Sequence, residues 1–119
     1  MSNLLAIGPD RAWTADLTRR AEAAGHRMTV RKSIFEAWAL AEALETFAAV
    51  ILDAEGWDLR GNPALHAFRA RMRARFIVVH PASKATAPRM LADVLVPKAS
   101  GVDAVLEHCK SWRLEIDHA

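Results

Sequence analysis

The chain has 119 residues, 52% of them apolar, the expected size of one compact domain spanning residues 1–119. Cys109 is its only cysteine, which excludes an intrachain disulfide and a cysteine-built zinc site and fits a reducing cytoplasm. Sixteen Lys and Arg against fourteen Asp and Glu leave a net charge of +2, too small to name a partner, and the absence of a basic leader or a long apolar run argues against secretion and membrane spanning.

Leu4 to Ile7 is a continuous apolar run ended by Gly8-Pro9, the pattern of a strand buried on both faces. Asp10 is a candidate N-cap, and Trp13, Leu17, Ala21 and Ala24 then recur at helical spacing until Gly25. Met28 and Val30 alternate with Arg27, Thr29 and Arg31, which suits an edge strand. Ser33 with Glu36 forms a capping box that opens a second helix through Trp38, Ala41 and Leu44. Phe47 to Leu52 predicts a third strand, terminated by Asp53.

Asn62-Pro63 starts a third helix with Leu65, Phe68 and Met72 on one face. Phe76 to Val79 and Val94 to Val96 predict two more strands, ending at His80-Pro81 and Pro97-Lys98. Only Ala82 to Asp93 lies between them, with Pro88 inside, so any fourth helix there is short or irregular. Ser100 is the expected cap of a last helix striped by Val102, Val105, Leu106, Cys109, Trp112 and Ile116. Alternating strands and helices imply βαβ units and a doubly wound parallel α/β sheet covered on both faces. Ligand sites in such sheets lie beyond the carboxyl ends of the strands, here at Gly8-Pro9-Asp10, Asp53, His80 and Pro97-Lys98.

This pattern resembles the receiver domain of two-component response regulators over nearly the whole chain. Leu4-Leu-Ala-Ile, Ala23-Ala-Gly-His, Ala48-Ala-Val-Ile-Leu-Asp53 and Asp93-Val-Leu-Val-Pro-Lys98 carry the resemblance. It implies a flavodoxin-like five-stranded sheet in the order 2-1-3-4-5. It also places Asp53 where the family accepts a phosphoryl group from a histidine kinase. The rest of the family's pocket departs. The acidic pair that holds Mg²⁺ is replaced by Gly8 and Pro9, with only Asp10 beyond. The Thr or Ser ending the fourth strand is replaced by His80, and Lys-Pro is inverted to Pro97-Lys98, which sets the lysine one position late for reaching Asp53.

These departures point to a degenerate receiver, or pseudo-receiver: a stand-alone, non-enzymatic signalling module acting by protein–protein contact without Mg²⁺-dependent phosphorylation. Its expected partner is a signalling protein such as a histidine kinase or another regulator, with a homodimer as a further option and no cofactor. The alternative is a phosphorelay receiver in which Asp53 still accepts phosphoryl, with Mg²⁺ as its cofactor. A weaker metal reading gathers Asp10, Asp53 and Glu55 from neighbouring loops. His80 either pairs with Asp53 or fills the vestigial pocket. Trp13 and Trp112 lie in helical apolar patterns and Trp57 in the loop after Asp53, and the three are candidate interface anchors, with core or pocket-covering roles as the plainer readings.

Enzyme chemistry on the same scaffold lacks a Gly-rich phosphate loop and a nucleophile elbow. Arg69, Arg71, Arg73 and Arg75 could offer a phosphate-binding patch. Without interleaved aromatics or a helix-turn-helix they read better as a solvated face, which argues against nucleic acid.

Overall fold

Strands that are covered on both faces need no polar alternation, and the apolar runs of the sequence become the interior of the sheet. The computed structural model describes residues 3–43, 46–54, 63–72, 74–80 and 93–109, apart from the side chain of His80. Its elements are β1 (Asn3–Ile7), α1 (Arg11–Ala23), β2 (Arg27–Arg31), α2 (Ile34–Glu42), β3 (Ala49–Asp53), α3 (Pro63–Met72), β4 (Arg75–His80) and β5 (Val94–Pro97). A 3-10 turn at Lys98–Ser100 leads into a last helix, α4, at residues 102–109. All strand pairs are parallel and the order is β2-β1-β3-β4-β5. The doubly wound, flavodoxin-like arrangement is therefore as the sequence predicts. The segment where a short or irregular helix is expected, residues 82–92, lies outside the described residues.

Side-chain alternation along each strand sorts the core into two layers. Leu5, Ile7, Val50, Leu52, Phe76 and Val78 face α2 and α3, where they meet Ile34, Ala37, Leu65 and Phe68. Leu4, Ala6, Ala49, Ile51, Ile77 and Val79 face the opposite way, against Leu17 and Ala21 of α1 and Val102, Val105 and Cys109 of α4. Phe68 packs edge-on to Phe76, with ring centroids 6.1 Å apart. Arg20 ties α1 to α4 through Asp103 at 2.8 Å. No helix among the described residues is long and apolar enough to cross a membrane.

Three boundaries differ from the sequence reading. The third strand begins at Ala49 rather than Phe47, because the ladder starts where Leu4 faces Ala49, and it runs on to include Asp53. Ser100 does not cap the last helix. It closes the 3-10 turn, and Gly101 makes the break with a φ of 87°, a conformation that side-chain-bearing residues adopt only under strain. The fourth strand begins at Arg75 rather than Phe76, and Arg69 is engaged with Asp93 at 3.2 Å and stacks over Phe76. The capping box also departs in detail. Ser33 accepts from the Glu36 N–H as expected, while the Glu36 carboxylate accepts from the Lys32 N–H, one residue before the cap.

Candidate functional site

The parallel topology delivers the carboxyl ends of β1, β3 and β5 to one edge of the sheet, and three charged side chains meet there. Asp53 ends β3 and is fully buried. Asp10 caps α1, its Oδ1 accepting from the Trp13 N–H at 3.1 Å. Lys98 enters from the turn after β5, and its Nζ donates to Asp10 Oδ2 and to Asp53 Oδ2, each at 3.0 Å. One ammonium thus bridges two carboxylates. The expectation that Lys98 falls short of Asp53 is corrected. The lysine's long, flexible stem and the turn at Lys98–Ser100 absorb the one-residue offset. This reach needs no unusual peptide, since no bond among the described residues, Val96-Pro97 included, is cis.

Charge and burial explain why the bridge forms. A carboxylate with no exposed surface is costly unless it is paired, and Lys98, itself 16% exposed, supplies the pairing. The hydrogen bond from Lys98, and after it the Trp13 N–H, holds the Asp10 carboxyl below its ordinary value. The ammonium also lies 5.6 Å from the centre of the Trp13 ring, within range of a cation–π attraction. Trp13 is half-buried against the α1–α4 layer, and its buried Nε1 has no hydrogen-bond partner among the described residues.

Gly8 shapes the same cradle. A Cβ at this position would lie 2.7 Å from the Asp53 Cβ, closer than two such atoms can sit. The missing side chain lets β1 and the end of β3 close on each other. As a donor set for a divalent cation the described residues fit poorly. Gly8 and Pro9 bring no side-chain oxygen, and the two carboxylates already share the Lys98 ammonium. No group of three or more His, Cys, Asp and Glu among the described residues is arranged to hold a metal ion.

The structure therefore brings Asp10, Asp53 and Lys98 together with Gly8. Pro9 is exposed in the loop between β1 and α1, and Pro97 pairs with His80 across β4 and β5. Glu55, Trp57 and Trp112, together with the side chain of His80, lie outside the described residues. The sequence reading missed Arg11, Arg31 and Lys32, which line a depression beside β2. The signal was present: basic residues directly follow the cap of the first helix and end the edge strand.

No family model and no curated protein matches this sequence. Solved structures do. A CheY-like response regulator receiver domain protein from Methanospirillum hungatei superposes with a TM-score of 0.80 at 18% identity, covering 99% of this chain and 98% of that one. The chain has the receiver-domain fold. The response regulator TrrA from Thermotoga maritima, solved in complex with Mg²⁺-BeF, is similar at a TM-score of 0.73 and 20% identity, covering 93% of this chain and 98% of that one. A two-component response regulator from Clostridium difficile gives 0.75 at 13% identity, with coverage of 93% and 94%. The receiver fold is kept at identities where sequence comparison finds no kinship.

Proposed function

We propose that this chain is a receiver-like signalling module that works by protein–protein contact, with no enzymatic activity of its own and no need of Mg²⁺-dependent phosphorylation. The observation that carries the reading is the position of the Lys98 ammonium, bonded to both Asp10 and Asp53. Phosphoryl transfer to a carboxylate requires cationic stabilisation of three phosphoryl oxygens, supplied in such sites chiefly by a divalent ion. Here the internal lysine bonds both carboxylates and offsets one of their two charges, and the resemblance puts Gly8 and Pro9 where the ion's acidic ligands would stand. The module's surface is then not altered by phosphorylation, and its partner is a kinase-type or regulator-type signalling protein of the cytoplasm.

A second reading keeps Asp53 as a phosphoryl acceptor, favoured by the Lys98 contact itself, because the same ammonium could bond a phosphoryl oxygen. Metal dependence separates the two. Trp13, in contact range of Lys98, serves as a fluorescence reporter during titration with Mg²⁺ and then beryllofluoride. The proposal expects no saturable change from the folded protein. A saturable change that disappears in Asp53→Asn would establish a working acceptor site and overturn it.

A further inference from the structure

Beside the Asp53 site, the carboxyl ends of β1 and β2 and the starts of α1 and α2 border an open depression of about 530 Å³. Gly8, Thr14 and half-buried Val30 line it together with Arg11, Arg31, Lys32 and Glu36. Three cations face one carboxylate there, a local excess equal to the whole chain's net charge of +2. The carboxylate is occupied: Glu36 accepts from the Lys32 N–H at 2.9 Å. Arg31 spends one donor on the Val30 carbonyl at 2.8 Å. Neither Arg11 nor Lys32 forms an ion pair with another described residue.

In the same first turn of α2 stands Phe35, 93% exposed and the only exposed large hydrophobic residue among those described. The buried face of α2 is made by Ile34, Ala37 and Ala41, so Phe35 contributes nothing to it. A lone exposed aromatic is ordinary; one that stands in sequence between Lys32 and Glu36, both of which line the cationic depression, has the make-up of an interface anchor with a charged surround.

We propose that this depression and Phe35 together dock an acidic polypeptide segment of a partner protein, with an apolar side chain of the segment against Phe35 and its carboxylates toward Arg11, Arg31 and Lys32. Charge complementarity selects an anionic occupant. The small number of cations, with an exposed aromatic close by in sequence, favours a short peptide stretch over the long, evenly charged backbone of a nucleic acid. The inference rests on the reading of the chain as a protein-contact module and makes no use of Asp53.

The test is backbone amide NMR of the full chain with three synthetic probes: a peptide of Asp and Glu around a central Leu, the same peptide with Ser for Leu, and one with Lys replacing every acid. The Leu peptide is expected to give saturable shifts confined to Arg11 and residues 30–36, weakened by added salt. The Ser peptide and the Phe35→Ala variant should each weaken binding severalfold, and Arg31→Glu with Lys32→Glu should abolish saturation in a chain whose spectrum stays dispersed. The Lys peptide should give no saturable shifts. No saturable shifts, shifts centred elsewhere, equal binding of Leu and Ser peptides, or a DNA duplex that shifts the same amides as strongly would each overturn the proposal. A beryllofluoride response at Asp53 would sink the phosphorylation-independent reading and leave these outcomes unchanged, so the two fail separately.

Discussion

Replacing Lys98 by Met keeps the length of the stem and deletes the ammonium, leaving Asp53 fully buried without its cation. Breaking a buried ion pair costs about 3–5 kcal/mol, and an exposed pair contributes about 0–1 kcal/mol. Lys98 is 16% exposed and Asp53 makes a further interaction besides this one, so a value of about 2–3 kcal/mol follows, between those limits. With a urea slope of about 1.5 kcal/mol per molar, the denaturation midpoint of Lys98→Met should fall by about 1.3–2 M with its slope unchanged. Asp53→Asn in the Lys98→Met background should recover part of the loss, with a coupling of about 1–2 kcal/mol in the double-mutant cycle. A Lys98→Met unfolding free energy within about 0.5 kcal/mol of the parent, with additive effects in the cycle, would refute the claim that Lys98 neutralises Asp53.

Gly8→Ala should lower stability by about 1–3 kcal/mol in the same urea assay, because the new Cβ overlaps the Asp53 Cβ and β1 must shift away; an unchanged midpoint would show the two strand ends to be loosely packed. The Asp10 carboxyl is held below its ordinary value of 3.8, so its contribution is fully present above that pH and is lost as pH falls through the lower, folded value. The melting-temperature gap between the parent and Asp10→Asn should therefore be constant near neutrality and close below about pH 4, and a gap that widens in acid would contradict the Lys98 contact. Burial pushes the Cys109 thiol up to about 11, so a disulfide-exchange reagent at pH 8 should modify it only on unfolding; rapid labelling of the native chain would place Cys109 at the surface.

The sheet was legible in the sequence because its strands are buried on both faces, which turns β1, β3 and β4 into unbroken apolar runs, while the half-polar Arg27–Arg31 marks the edge. Helix starts were legible where a side chain caps them, at Asp10 and Ser33. What escaped depends on distances that spacing does not encode. Lys98 looks misplaced by one position, yet a flexible stem leaving a 3-10 turn bridges the gap. Gly8 reads as a lost ligand, while in the structure it is also the position where β1 and Asp53 come closest. The arginines around the third helix and its exit read as solvated, yet Arg69 is drawn to Asp93, which in turn accepts from the Phe76 N–H at 2.8 Å. The depression at Arg11, Arg31 and Lys32 joins residues 20 positions apart in chain, which only the parallel pairing of β1 with β2 brings together.

The Lys98 ammonium bridges Asp10 and Asp53, and in the proposed reading it holds the two carboxylates together without a divalent cation. The most direct test of that reading is a Mg²⁺ titration of the ¹⁵N-labelled chain, following the amides of Gly8, Asp10, Asp53 and Lys98 in the parent and in Asp53→Asn. The account predicts only small, non-saturating drifts, the same in both proteins. Saturable shifts at these four amides in the parent, lost in Asp53→Asn, would mean that Mg²⁺ displaces Lys98 and would contradict it.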